Sequence, residues 1–141
     1  FVREVDGVKY YNDSIASSPT RTALGTLSLY SRKICIIAGG YDKHIPYEPL
    51  GPVINDKVKL LILLGDTAPK IEKAVKEASN YDADEIEIVN VTNMEEAVAV
   101  ARERSTKGDI VSLSPASASF GLYKNFEERG NHFKSIVNAL K

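Results

Sequence analysis

The sequence predicts an α/β domain of three layers, with a mainly parallel sheet between helices and a β-hairpin at its start. Three observations carry this expectation. Asp6-Gly7 separates two β-rich runs, Phe1–Val5 and Val8–Asn12, and Asp-Gly in that setting favours a type I′ turn with positive φ at both central residues. Lys33–Ala38 (KICIIA) and Val58–Leu64 (VKLLILL) are nearly continuous apolar runs, as expected of strands covered on both faces. Helical stripes then alternate with strands along the rest of the chain, which is the order of a parallel sheet built from crossovers.

Taken in order, Ser18-Pro19 reads as an N-cap followed by an N1 proline. A helix is expected from there to about Tyr30, with Ala23, Leu24, Leu27 and Tyr30 inward. The strand at Lys33–Ala38 follows. Gly39–Lys57 is irregular and proline-bearing, with a short helical turn near Tyr47–Val53. After the strand at Val58–Leu64, Ala68–Ser79 sets Ile71, Ala74, Val75 and Ala78 on one stripe. Glu85–Asn90 is a further strand. Thr92 with Glu95 suggests a capping box for a helix carrying Met94, Ala97, Val98 and Ala101. Asp109–Leu113 is the last strand. Asn125–Leu140 is the last helix, with Phe133, Ile136, Val137 and Leu140 inward and Gly130 weakening its first turn.

The chain has 141 residues, 43% hydrophobic and 26% charged, with a formal net charge of -1. That composition supports one packed domain over residues 1–141. Near-neutrality supplies neither a basic footprint for nucleic acid nor a polybasic membrane patch. No apolar stretch approaches the about 20 residues of a membrane span, and no signal-peptide pattern is present. The single cysteine, Cys35, lies inside an apolar run and reads as a buried core thiol; one cysteine builds neither a disulfide framework nor a zinc site, which fits a reducing compartment. The chain opens at Phe1 directly into a strand, so it is expected to be cut from a longer protein.

Ligands of open parallel sheets bind outside the carboxyl ends of the strands. Three polar segments follow expected strands: Asn12–Ser18, Gly39–His44, and Ser114–Phe120 leading into Lys124–Glu127. On one rim they would offer a carboxylate, an ammonium and several hydroxyls, a set suited to a small anionic or zwitterionic molecule. Blander readings stand beside this one. Ser17 or Ser18 can cap a helix, Gly39-Gly40 and Asp42 can turn the chain, and Lys43 can be a solvated surface lysine. His44 and His132 read as surface or packing histidines. No cluster has metal-ligand spacing, and no catalytic residue is assigned within the chain. Neither GxxxxGK(S/T) nor GxGxxG occurs, so the residues support neither a P-loop nor a dinucleotide cofactor.

At these three segments the sequence resembles the Mur ligase family, in its D-glutamate-adding branch. GVKYYNDSIASSP is similar to that family's strand followed by NDSKATN. IAGGYDKH resembles its GG-x-(D/G)-K loop. VSLSPASASFGLYKNFEERGNHF resembles its LSPACASFDQFKNFEERGxxF signature. The likeness covers nearly the whole chain. It implies the third, C-terminal domain of a three-domain cytoplasmic enzyme of peptidoglycan synthesis, with a dinucleotide-binding-like, Rossmann-like fold. The N-terminal domain would hold the UDP end of UDP-N-acetylmuramoyl-L-alanine, and the central domain would hold ATP and Mg²⁺. The third would admit D-glutamate, whose amino group attacks an acyl phosphate, and would close over ATP.

Carried over by position, the resemblance implies that Ser17, Lys43, Ser119, Phe120 and Phe126 contact D-glutamate. Asp13, with Asn12 before it, would face the nucleotide. A lysine for one carboxylate, with hydroxyls and backbone N–H groups for the other, is sensible chemistry for a dicarboxylate amino acid. Ile15 stands where the family motif has lysine, which places more of the cationic role on Lys43. Ser117 replaces the motif cysteine, and the family's His-Arg pair would lie upstream of Phe1. Another ligase of the family with a different amino acid, or a non-catalytic α/β ligand-binding module, are the alternatives. The isolated domain is expected to be inactive.

Overall fold

The structure, a computed structural model, describes residues 1–13, 27, 33–41, 46–117 and 123–140. Strands β1 (Arg3–Val5) and β2 (Val8–Asn12) form the expected hairpin. Asp6 has φ 53° and Gly7 φ 80°, the two positive values that a type I′ turn demands. Four further strands follow: β3 (Ile34–Ala38), β4 (Val58–Leu63), β5 (Glu87–Asn90) and β6 (Ile110–Leu113). They join one six-stranded sheet in the order β1-β2-β6-β3-β4-β5. Every pairing but the hairpin is parallel.

The helices are α1 (Leu50–Lys57), α2 (Ala68–Glu77), α3 (Met94–Arg104) and α4 (Phe126–Asn138). They cover the two faces of the sheet. On one face Leu50 and Ile54 of α1, with Ile71 and Val75 of α2, pack on Ile34, Ile36, Leu61 and Leu63. On the other, Met94 and Val98 of α3, with Phe133 and Val137 of α4, pack on Cys35, Ile37, Leu60, Ile62 and Leu113. Alternate residues of β3 and β4 thus serve opposite layers, which is why these runs are apolar throughout. Cys35, the single cysteine of the sequence, is fully buried.

Three expectations shift. The turn expected near Tyr47–Val53 is a helix of eight residues, α1, running directly into β4. Its Gly51 lies where a Cβ would stand 2.2 Å from Ala74 O, so α1 and α2 approach backbone to backbone. The cap of α3 is Asn93 rather than Thr92. Asn93 Oδ1 accepts from Glu96 N at 2.8 Å, and Glu96 Oε1 accepts from Thr92 N at 3.2 Å. Asn is as good an N-cap as Thr, and the reciprocal partner moves with it. Ala78, expected on the inward stripe, is the extended C-cap of α2. The helix expected from Ser18 to Tyr30 lies outside the described residues except for Leu27, which is fully buried.

The chain's first strand is tied to its last helix. Arg3 Nη1 donates to Val137 O at 3.2 Å, Asn138 O at 3.0 Å and Leu140 O at 3.0 Å. All three carbonyls lie at the C-terminal end of α4, where acceptors outnumber backbone donors; Val137 O also accepts from Leu140 N at 3.1 Å, and the guanidinium meets the negative end of the helix dipole.

Candidate functional site at the carboxyl rim of the sheet

Parallel pairing places the carboxyl ends of β2, β6, β3, β4 and β5 along one edge. The registers Asn12↔Leu113, Ile37↔Leu113, Ala38↔Leu63 and Leu63↔Asn90 fix it. The chain leaves β3 toward α1 on one face, and leaves β6 toward α4 on the other. Adjacent strands whose connections part to opposite faces open a crevice between them, the usual ligand position in such sheets. Here the switch point falls between the ends of β3 and β6, at Ala38 and Leu113, with Asp13 one strand away.

Main-chain hydrogen bonds carry the ladder beyond the strands. Asp13 N donates to Leu113 O at 2.9 Å, Ser114 N to Ile37 O at 3.0 Å, and Gly39 N to Pro115 O at 2.8 Å. Gly39 and Gly65 are required sterically. Gly39 has φ +109°, and a Cβ on it would meet Leu64 O at 1.9 Å. Gly65, with φ +82°, approaches Gly40 so closely that a Cβ would lie 2.8 Å from Gly40 Cα. Only glycine allows both the conformation and the approach. Ala116, a buried non-glycine residue at φ 57°, marks a strained turn in the loop after β6.

A knot of buried hydroxyls locks these loops together. Thr67 occupies the N-cap of α2 but makes no side-chain cap bond. Its Oγ1 instead accepts from Gly40 N at 2.9 Å and lies 2.8 Å from Ser117 Oγ. Ser117 Oγ is also 2.8 Å from Tyr47 Oη. From the other face, Arg129 Nη1 donates to Ser117 O at 2.8 Å. Ser112 and Ser114 pair their hydroxyls at 2.9 Å beneath. Arg129 is 3% exposed, and burial pulls its pKa down to about 10. It therefore still carries its charge at neutral pH.

Of the residues singled out from sequence, Asn12 ends β2 and Asp13 follows it on the rim. Phe126 opens α4 and is 38% exposed, on the same helix as Arg129. Ser17, Lys43, Ser119 and Phe120 lie outside the described residues, as do Asp42 and His44. The described residues next to them, Gly40, Tyr41 and Ser117, do lie on the rim. Thr67, Tyr47 and Arg129 are the site-building residues that sequence reasoning passed over. Arg129 carried a signal, since it falls four residues before Phe133 on the inward stripe of α4. Thr67 also followed a strand, two residues after Leu64-Gly65.

Comparison with known proteins adds an independent line. The family profile described as Mur ligase, glutamate ligase domain, matches residues 1–117. UDP-N-acetylmuramoylalanine--D-glutamate ligase of Acetivibrio thermocellus is 58% identical over 142 residues, covering 99% of this chain and 30% of that protein. The protein of the same name from Clostridium botulinum strain Okra is 59% identical over 140 residues, again 99% of this chain and 30% of the relative. The chain thus spans about 30% of the length of the curated relatives it matches.

Proposed function

This chain belongs to the Mur ligase family, as its glutamate ligase domain, and from that premise we propose that it is the amino-acid-binding C-terminal domain of a cytoplasmic ATP-dependent ligase. The full protein would join D-glutamate to UDP-N-acetylmuramoyl-L-alanine in peptidoglycan synthesis, the reaction named for its relatives. The observation that carries this reading is the junction of the loops after β2, β3 and β6 at the switch point of the sheet.

In this reading Lys43 pairs with one carboxylate of D-glutamate. The hydroxyls of Ser17 and Ser119, with backbone N–H groups near Phe120, receive the other, and Phe126 closes one side. Asn12 and Asp13 face the nucleotide across the interdomain cleft. ATP supplies the phosphoryl group that activates the acceptor carboxylate, and amide formation releases phosphate. No group of three or more potential metal-ligating residues occurs among the described residues. In this reading Mg²⁺ and most of ATP would be held by the central domain, as the family likeness implies. No described helix is long and apolar enough to cross a membrane. The chain's work in this reading is positioning and electrostatic stabilisation, and none of the residues named needs to act as a nucleophile.

The test is amide formation by the full-length protein with UDP-N-acetylmuramoyl-L-alanine, ATP and individual amino acids. D-glutamate is the expected substrate, and preference for a diamino acid or a dipeptide refutes the assignment. Lys43→Ala is expected to raise the KM for D-glutamate by about 10- to 100-fold, the scale of losing a charge-assisted pair, with little change in the KM for ATP. Equal increases in both would remove the role given to Lys43.

A further inference from the structure

Tyr123, His132 and Glu95 form a side-chain chain that none of the roles above uses. Tyr123 Oη lies 2.5 Å from His132 Nδ1, and His132 Nε2 lies 2.9 Å from Glu95 Oε1. The Tyr123 and His132 rings are 5.5 Å apart and tilted by 56°. Burial, reinforced by the Glu95 charge, pushes the Tyr123 hydroxyl up to about 12, so at neutral pH it is a protonated donor. When Tyr123 O–H donates to Nδ1, the ring proton sits on Nε2 and faces the Glu95 carboxylate. A backbone hydrogen bond at Glu95 itself, and after it the hydrogen bond to His132, hold the Glu95 carboxyl below its usual range.

The chain spans three parts of the fold: the segment approaching α4, the body of α4, and the first turn of α3. With Leu64 and Thr92 its members line a cavity of about 210 Å³ beside the ends of β4 and β5. Asn125 already caps α4, accepting from Glu128 N at 2.8 Å. That cap sets where the helix begins, but not the direction from which the chain reaches it. The Tyr123 bond to His132, nine residues on, sets that direction. The Glu95 bond then references it to α3, which packs on the same core layer.

We propose that Tyr123, His132 and Glu95 are positioning residues for the amino-acid substrate. They hold the approach to α4, and with it Phe126, without touching the substrate. This rests on the functional reading above. Glu95 is 62% exposed in its side chain, so its share is the smallest, and the Tyr123–His132 bond is the core of the device.

The experiment is steady-state kinetics on the full-length protein, with each substrate varied in turn. Tyr123→Phe and His132→Ala are expected to raise the KM for D-glutamate about three- to tenfold, the effect of one part-buried hydrogen bond, with kcat and the KM for ATP within about twofold. His132→Gln, whose amide can accept from Tyr123 and donate to Glu95, should return the KM to near wild type. An unchanged KM for D-glutamate, a parallel rise for ATP, or failure of the glutamine variant to rescue would overturn the proposal. Lys43→Ala run alongside separates the two levels. If it raises the KM while the other variants do not, the positioning role falls and the functional reading stands. If the wild-type protein does not use D-glutamate, both fall.

Discussion

Replacing Thr67 by valine tests the hydroxyl knot most directly. The two side chains have nearly the same shape, so packing changes little and the loss is polar. Thr67 is fully buried. Its Oγ1 is the acceptor for Gly40 N and the neighbour of Ser117 Oγ. Valine leaves the Gly40 N–H without that acceptor, at a cost of about 1–3 kcal/mol, and takes one of two hydroxyl partners from Ser117, at about 0.5–1 kcal/mol more. The better apolar burial of a methyl group returns up to about 1 kcal/mol. The net expectation is a loss of about 2 kcal/mol, or a fall in Tm of roughly 6–10 °C for a chain of this size. Urea denaturation of wild type, Thr67→Val and Thr67→Ser measures it. Serine keeps the acceptor and should retain most of the stability. The reasoning is refuted if valine costs less than about 0.5 kcal/mol, or if serine is as damaging as valine.

Two further expectations concern stability. Gly39→Ala should be far more damaging than Gly108→Ala. Both glycines sit at positive φ, but the new Cβ at Gly39 meets Leu64 O at 1.9 Å, whereas at Gly108 nothing lies within 4 Å. The second change should therefore cost about 1–2 kcal/mol of backbone strain and the first at least twice that, and equal losses by denaturant titration would refute the steric account. Asp109 is 4% exposed, and burial opposes its charge. Hydrogen bonds from Lys59 and from Thr106 N, the latter at 2.7 Å, outweigh that and hold its pKa below the ordinary 3.8. Because the folded pKa is depressed, the stabilisation is complete above about pH 5 and is lost as pH falls through 3.8 toward the folded value. Asp109→Asn should therefore lose stability at pH 7, and its deficit relative to wild type should shrink below about pH 4. A deficit that does not change with pH would point to packing instead.

Much of this architecture was legible because the relevant signals are local. Asp6-Gly7 specifies its turn through φ preferences alone, and the unbroken apolar runs of β3 and β4 follow from burial on both faces. Stripes such as Ile71, Ala74 and Val75 mark the inner faces of their helices in the same way. The rim was legible as a location, since topology puts the ends of parallel strands together. Its internal wiring was not. Whether Thr67 caps its own helix or reaches across to Gly40 depends on how near β3 and β4 bring their loops, and no local pattern encodes that distance. Likewise His132 looked like an isolated histidine, because its partners, nine and 37 residues away, meet it only after α3 and α4 pack. The α3 cap slipped by one residue because Thr92 and Asn93 are both competent, and the strand end decides between them.

Arg3 has a mechanical implication. By gripping the final carbonyls of α4, its guanidinium joins the opening hairpin and the terminal helix into a single lever. The hairpin ends at Asn12 and Asp13, and the helix begins at Phe126 and contributes Arg129. A torque delivered through the first strand would accordingly swing the Asn12–Asp13 corner and the Phe126–Arg129 corner through the same arc.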